Sequence, residues 1–334
     1  MAPSPTPFPE ATLGSTPIRN LGLKIAGTRL EPIVQELEAE LRRAGVRRLR
    51  PHFYLSTEWG VPFGTVSIAI PFYLARPDLT ALQAERVGLV EGLNRGDILR
   101  YLRHEMGHVV NYAYRLYEQA EWVKLFGAIT QPYEEDYRPR PFSRRFVAHL
   151  PGWYAQKHPD EDWAETFAVW MTPGLDWRAG YARRPAALAK LEYCDRTLAR
   201  LRDRAPAVTA EDADEDVGGL GLSLEQFYRD LSVPVGPAPP GLDDALQTLF
   251  EAPAGAAETR PAAALVRRLE RPLMADVYRW TGYFPERTRS LLRQLAARAE
   301  ERQLLYPADR ELQVAVGLAA FVTALVMNQA EISK

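Results

Sequence analysis

The chain has 334 residues, which predicts one large domain with a smaller one beside it in the sequence. Hydrophobic residues make up 46% and charged residues 25%, a balance that excludes disorder as a description of the whole. The 41 basic and 43 acidic side chains leave a formal net charge of -2, which excludes bulk attraction to a polyanion, and a single cysteine, Cys194, excludes an internal disulfide scaffold or a cysteine-rich zinc site.

Residues 1–24 begin MAPSPTPFPEATLGSTPIRN and read as a flexible tail; they lack the charged start and apolar run of a secretory signal, so a cytoplasmic location is expected. Ile33, Leu37 and Leu41 share one face of a predicted helix over 31–44, which Gly45 ends. Arg42, Arg43, Arg47, Arg48 and Arg50 follow as a solvated rim, and no nucleic-acid partner is expected. Two strands are predicted, over 48–56 and 64–72, with Pro71 marking an end or an exposed edge in the second. That edge, Val66 to Ile70, is a candidate cleft wall for an extended peptide, with Trp59, Phe63, Phe72 and Tyr73 near the rim.

A helix is predicted from about Asp97 to Leu116, then a Tyr-, Pro- and Arg-rich surface loop with short helical pieces to about residue 145. DEDWAETFAVWM, residues 160–171, reads as a helix capped by Asp160 and stopped by Pro173 and Gly174, and a further helix covers 185–201. Residues 205–240 have the acidic and Pro/Gly-rich composition of a linker, with a short helix at Leu224 to Leu231. Residues 241–334 are helical and contain no histidine; Leu312 to Met327 reads as a buried helix, short of the about 20 residues that a bilayer span needs, so no membrane segment is expected. The expected layout is thus tail 1–24, catalytic domain 25–204, linker 205–240 and helical region 241–334.

The chemistry lies in His104-Glu105-Met106-Gly107-His108. Side chains four apart on a helix share a face, so His104 and His108 can offer two ring nitrogens to one ion, and zinc accepts such ligands. Glu105 stands beside the first histidine, placed to take a proton from water at the metal, and Gly107 keeps the helix thin there. The third ligand must come from elsewhere. Glu161 and Glu165 share a face of a helix flanked by Trp163, Phe167 and Trp170, and paired acids in so apolar a helix call for a cation; one would bind it while the other orients a histidine. His158 falls just before this helix and is expected to cap or pack there, with a supporting contact to the site as the other reading; His52, His149 and Asn111 are given no catalytic part.

The segments HEMGH and DEDWAETFA resemble the zinc-binding metallopeptidase family of the glutamate-zincin kind, distantly related to thermolysin-like peptidases and to the anthrax lethal factor protease domain. The resemblance covers roughly residues 50–200. It implies an α+β zincin-like core with an active-site helix and a small sheet, followed here by the small helical C-terminal region. It implies that Glu161 is the third ligand, that Glu165 supports a ligand histidine, and that Tyr154, seven residues before Glu161, donates to the oxyanion. The expected activity is zinc-dependent cleavage of peptide bonds in a peptide or protein substrate. The alternatives are a zinc amidohydrolase acting on a non-protein or cell-wall amide, and a zinc-stabilised scaffold that binds a partner through its C-terminal helices.

Overall fold

The computed structural model describes residues 13–133, 137–231, 241–251 and 258–332. Helix α1, Leu30–Ala44, turns Leu30, Ile33, Leu37 and Leu41 into the core and ends at Gly45, whose φ of 90° is a left-handed cap that glycine takes without strain. Arg42, Arg43, Arg47, Arg48 and Arg50 are all exposed, as a solvated rim requires.

Strands β1, His52–Ser56, and β2, Ser67–Pro71, pair in parallel, Tyr54 opposite Ala69. Parallel neighbours need a return path between them. Here the connecting segment runs back along the outer edge of β2, where Gly60 pairs antiparallel with Ala69 and the Ala69 amide donates to the Gly60 carbonyl at 2.8 Å. This corrects the expectation of an open edge at Val66 to Ile70. The edge is already paired at Ala69, and all five residues of β2 are buried because both faces of the strand are covered. Phe72 and Tyr73 are likewise core residues, whereas Trp59 is half-buried against Tyr101 and Phe63 stays exposed over Tyr112 and Tyr117.

Helix α2 spans Pro77–Arg86. Asn94 then caps helix α3, Arg95–Ala113, by accepting the Asp97 amide, and Asp97 places negative charge on the positive end of the helix dipole. Helix α4, Ala120–Phe126, is a short helical piece of the kind expected within the surface loop. Helix α5, Pro159–Met171, starts with proline at its first position and three acids in its first turn. Its cap is His158, whose Nδ1 accepts the Asp160 amide; Asp160, expected in that role, turns instead toward α3. Helices α6, Trp177–Tyr181, α7, Pro185–Leu201, and α8, Leu224–Asp230, complete this unit. Its main core joins α1, β2, α3, α5 and α7 through Leu37, Ile68, Met106, Trp163 and Cys194.

The predicted tail and linker are largely part of this unit. Ile18 and Leu21 are buried, and the Ile18 and Arg19 amides donate to Leu222 and Leu220, which pins residues 17–20 to 220–223. The acidic segment docks by its backbone: Val66 donates to Ala210, Val217 to Leu55, and Ala207 to Ala113. Residues 205–231 are therefore packed chain, and their acids face outward from a bound backbone. Residues 1–12 of the expected tail and 232–240 of the expected linker lie outside the described residues.

The chain divides into two units, the second made of residues 87–89, 151–153 and 232 onward. The C-terminal part of that unit holds helices α9, Leu242–Leu249, α10, Ala262–Thr281, α11, Pro285–Glu301, and α12, Glu311–Ile332, with a short antiparallel pair of strands, β3, Thr259–Pro261, and β4, Leu305–Pro307. Its core packs Leu246, Val266, Leu292, Leu295 and Leu318. Helix α12 corrects the buried-helix expectation. Among the residues of α12 whose burial is described, Val314, Leu318, Val322 and Val326, four residues apart in turn, are buried, while Leu312, Val316 and Met327 are exposed. The candidate span is also longer than the Leu312 to Met327 run: Ala308–Asn328 is 21 residues, its most apolar stretch has a mean hydropathy of 1.6, and by length and composition alone it could cross a membrane. The molecule is thus a mixed α+β fold with small parallel and antiparallel sheets and a helical C-terminal stretch.

Candidate metal centre

Helices α3 and α5 approach closely enough that a Cβ built on Gly107 would lie 2.7 Å from the Cα of Ala164. The Trp163 indole donates to the Gly107 carbonyl at 2.7 Å, closing the crossing. This contact carries His104 and His108 onto Glu161. His104 Nε2 lies 2.9 Å from Glu161 Oε2, His108 Nε2 lies 3.3 Å from the same oxygen, and the two Nε2 atoms are 3.3 Å apart. All three residues are buried. Zinc held at about 2.0–2.1 Å in a tetrahedron sets its donors roughly 3.3 Å apart; the two edges that meet at His108 Nε2 have that length and the third, at 2.9 Å, is shorter. Two imidazole nitrogens and one carboxylate oxygen are also a donor set that zinc accepts.

Each imidazole is held from behind. His104 Nδ1 donates to Glu165 Oε1 at 3.0 Å, and Glu165 also accepts the amides of His149 and Leu150. His108 Nδ1 donates to Asp160 Oδ2 at 2.9 Å; Asn111 donates to the other oxygen at 2.6 Å, and the Tyr112 hydroxyl donates to Oδ2. Such partners fix which ring nitrogen carries the proton and where the free one points. Asp160, Asn111 and Tyr112 were not singled out for the site from the sequence, although Asn111 and Tyr112 stand three and four residues beyond His108 and so share its face.

Burial opposes a charge on His104, but the carboxylates of Glu161 and Glu165 outweigh it and lift the imidazole to about 9. His108 is likewise lifted well above its ordinary value, against burial, by Asp160 and Glu161. In turn Glu161 is held well below the usual carboxylate range, against burial, by His108 and His104. Site and charge therefore want a cation in any form, proton or metal. Glu105 is also buried, and burial raises its carboxyl while His104 and His108 pull it back. Behind α5 the Lys190 ammonium donates to Asp162 and to the Arg145 carbonyl, and burial pushes Asp162 up to about 7 despite that partner.

Tyr154 lies in the 3-10 turn Pro151–Gln156; its ring meets that of His104 edge-on at 5.5 Å, and its hydroxyl lies 3.4 Å from that of Tyr133. His158 is placed as a cap, with Nε2 donating to the Gln131 carbonyl at 3.1 Å, so both of its ring nitrogens hydrogen-bond to backbone and not to His104 or His108. His52 meets Ser67 on the sheet, and His149 donates to the Arg100 carbonyl.

Residues 59–176, which include both helices, match the sequence family described as "Putative zinc-binding metallo-peptidase". No curated protein matches the chain, and no solved structure does.

Proposed function

We propose that the first unit is a zincin-like, zinc-dependent peptidase. The observation that carries this reading is the triangle of His104, His108 and Glu161 with Glu105 buried beside it. The similarity of residues 59–176 to a metallopeptidase family supports a peptide or protein substrate over other amides.

Zinc bound by the three ligands supplies Lewis acidity toward water and toward a carbonyl oxygen. Glu105 accepts a proton from the attacking water and returns it to the leaving amine, a task suited to a carboxyl raised toward the working pH. Tyr154, packed against the ring of His104, donates its hydroxyl to the oxygen on which charge develops. Glu165 and Asp160 keep both imidazoles aimed while the proton moves. A non-catalytic zinc-stabilised scaffold needs no base at Glu105, which separates the two readings. Glu105→Gln is expected to keep zinc, measured by metal content after dialysis, and to lose at least ~100-fold in peptide cleavage. Undiminished cleavage by that variant removes the proposed mechanism.

A further inference from the structure

Two of the three candidate ligands have partners supplied by α5 itself, Glu165 behind His104 and Asp160 behind His108. The third is treated differently. Glu161 turns Oε2 toward the imidazoles, while its Oε1 accepts the Tyr133 hydroxyl at 2.8 Å. Tyr133 stands 28 residues earlier, in the segment between the two ligand helices, and is 44% exposed.

The start of α5 grips that segment. His158 uses Nδ1 to cap the helix, so its proton sits on Nε2, which donates to Gln131 two residues before Tyr133. The His158 ring lies 5.4 Å from the Tyr133 ring, and Lys157 Nζ sits 4.3 Å from its centroid, within cation–π range. Two adjacent residues at the head of the ligand helix thus hold the phenol that reaches the ligand carboxylate.

We propose that Tyr133 is a positioning residue for the third ligand. A free carboxylate presents two equivalent oxygens and can bind an ion through one or both. Tyr133 removes that equivalence: with its hydroxyl on Oε1, Glu161 meets the ion through Oε2 alone. The proposal rests on the metal reading above, and the experiment separates the two.

Metal-free wild type, Tyr133→Phe and Tyr154→Phe are titrated with zinc against a competing chelator, and the visible spectra of their cobalt forms are recorded. Tyr133→Phe is expected to weaken zinc by roughly 10–100-fold and to shift the cobalt bands, with an unchanged melting temperature for the metal-free protein. Tyr154→Phe is expected to bind zinc as wild type does. Equal zinc affinity and an unchanged cobalt spectrum in Tyr133→Phe overturn this proposal alone. Failure of wild type to bind either ion overturns the metal reading and this proposal with it.

Discussion

Helices α3 and α5 and helices α10 to α12 are built on opposite economies of charge. The first pair buries His104, Glu105, His108, Asp160, Glu161, Asp162 and Glu165; among the described residues of the C-terminal three, Arg289 is the buried ionisable side chain, and it is paired with Glu270 at 2.7 Å. Buried charge costs stability unless partners or a cation compensate it. A helix pair that carries seven such groups is organised around what they hold, whereas the C-terminal helices are organised around aliphatic contact.

The test that reaches both stability and metal content comes at the crossing of α3 and α5. Gly107→Ala would gain about 1 kcal/mol of helix propensity. It would also drive a methyl into the backbone of Ala164, a clash costing about 3 kcal/mol. The clash wins, so urea unfolding is expected to show a less stable protein with reduced zinc content. A variant more stable than its parent would mean that the helices stand farther apart.

In the C-terminal region the corresponding test is aliphatic. Leu318 is fully buried, and Leu318→Ala is expected to cost about 2–5 kcal/mol. Leu312, 79% exposed on the other side of α12, is expected to tolerate serine within about 0.5 kcal/mol. Equal losses at both positions would show that the outer face of α12 is covered in solution.

A smaller effect lies in the pH response. Burial holds His149 down at about 4, whereas an unfolded histidine titrates near 6.5. Between those values the unfolded chain binds the extra proton. Stability therefore falls as pH falls through that window and is unaffected by this group above it. His149→Gln is expected to lose less of its urea midpoint between pH 7 and pH 4 than the parent. Parallel curves would remove His149 from the acid response.

What could be read from the sequence follows from how local the signal is. The four-residue spacing of His104 and His108 specifies a helical face by itself, and the Pro159 to Met171 helix announces its ends. Which glutamate meets the histidines depends on the register of two distant helices, and spacing left Glu161 and Glu165 equal until the family resemblance separated them. Tyr133 stayed hidden because its segment has no periodicity. Composition gives residues 205–231 the look of a linker, because they are held by backbone bonds such as Val66 to Ala210, which leave no mark on side-chain composition. Helix α12 misled in the other direction: an apolar surface on every side reads as buried, but only one side finds neighbours.

Cys194 is sealed in the core with Trp163 and Phe167, and burial raises its thiol well above the ordinary range. A thiol-specific reagent therefore has nothing to label while α7 stays seated against α5. The rate of alkylation under native conditions becomes a clock for how often the floor beneath Glu161 lifts, with no engineered probe needed.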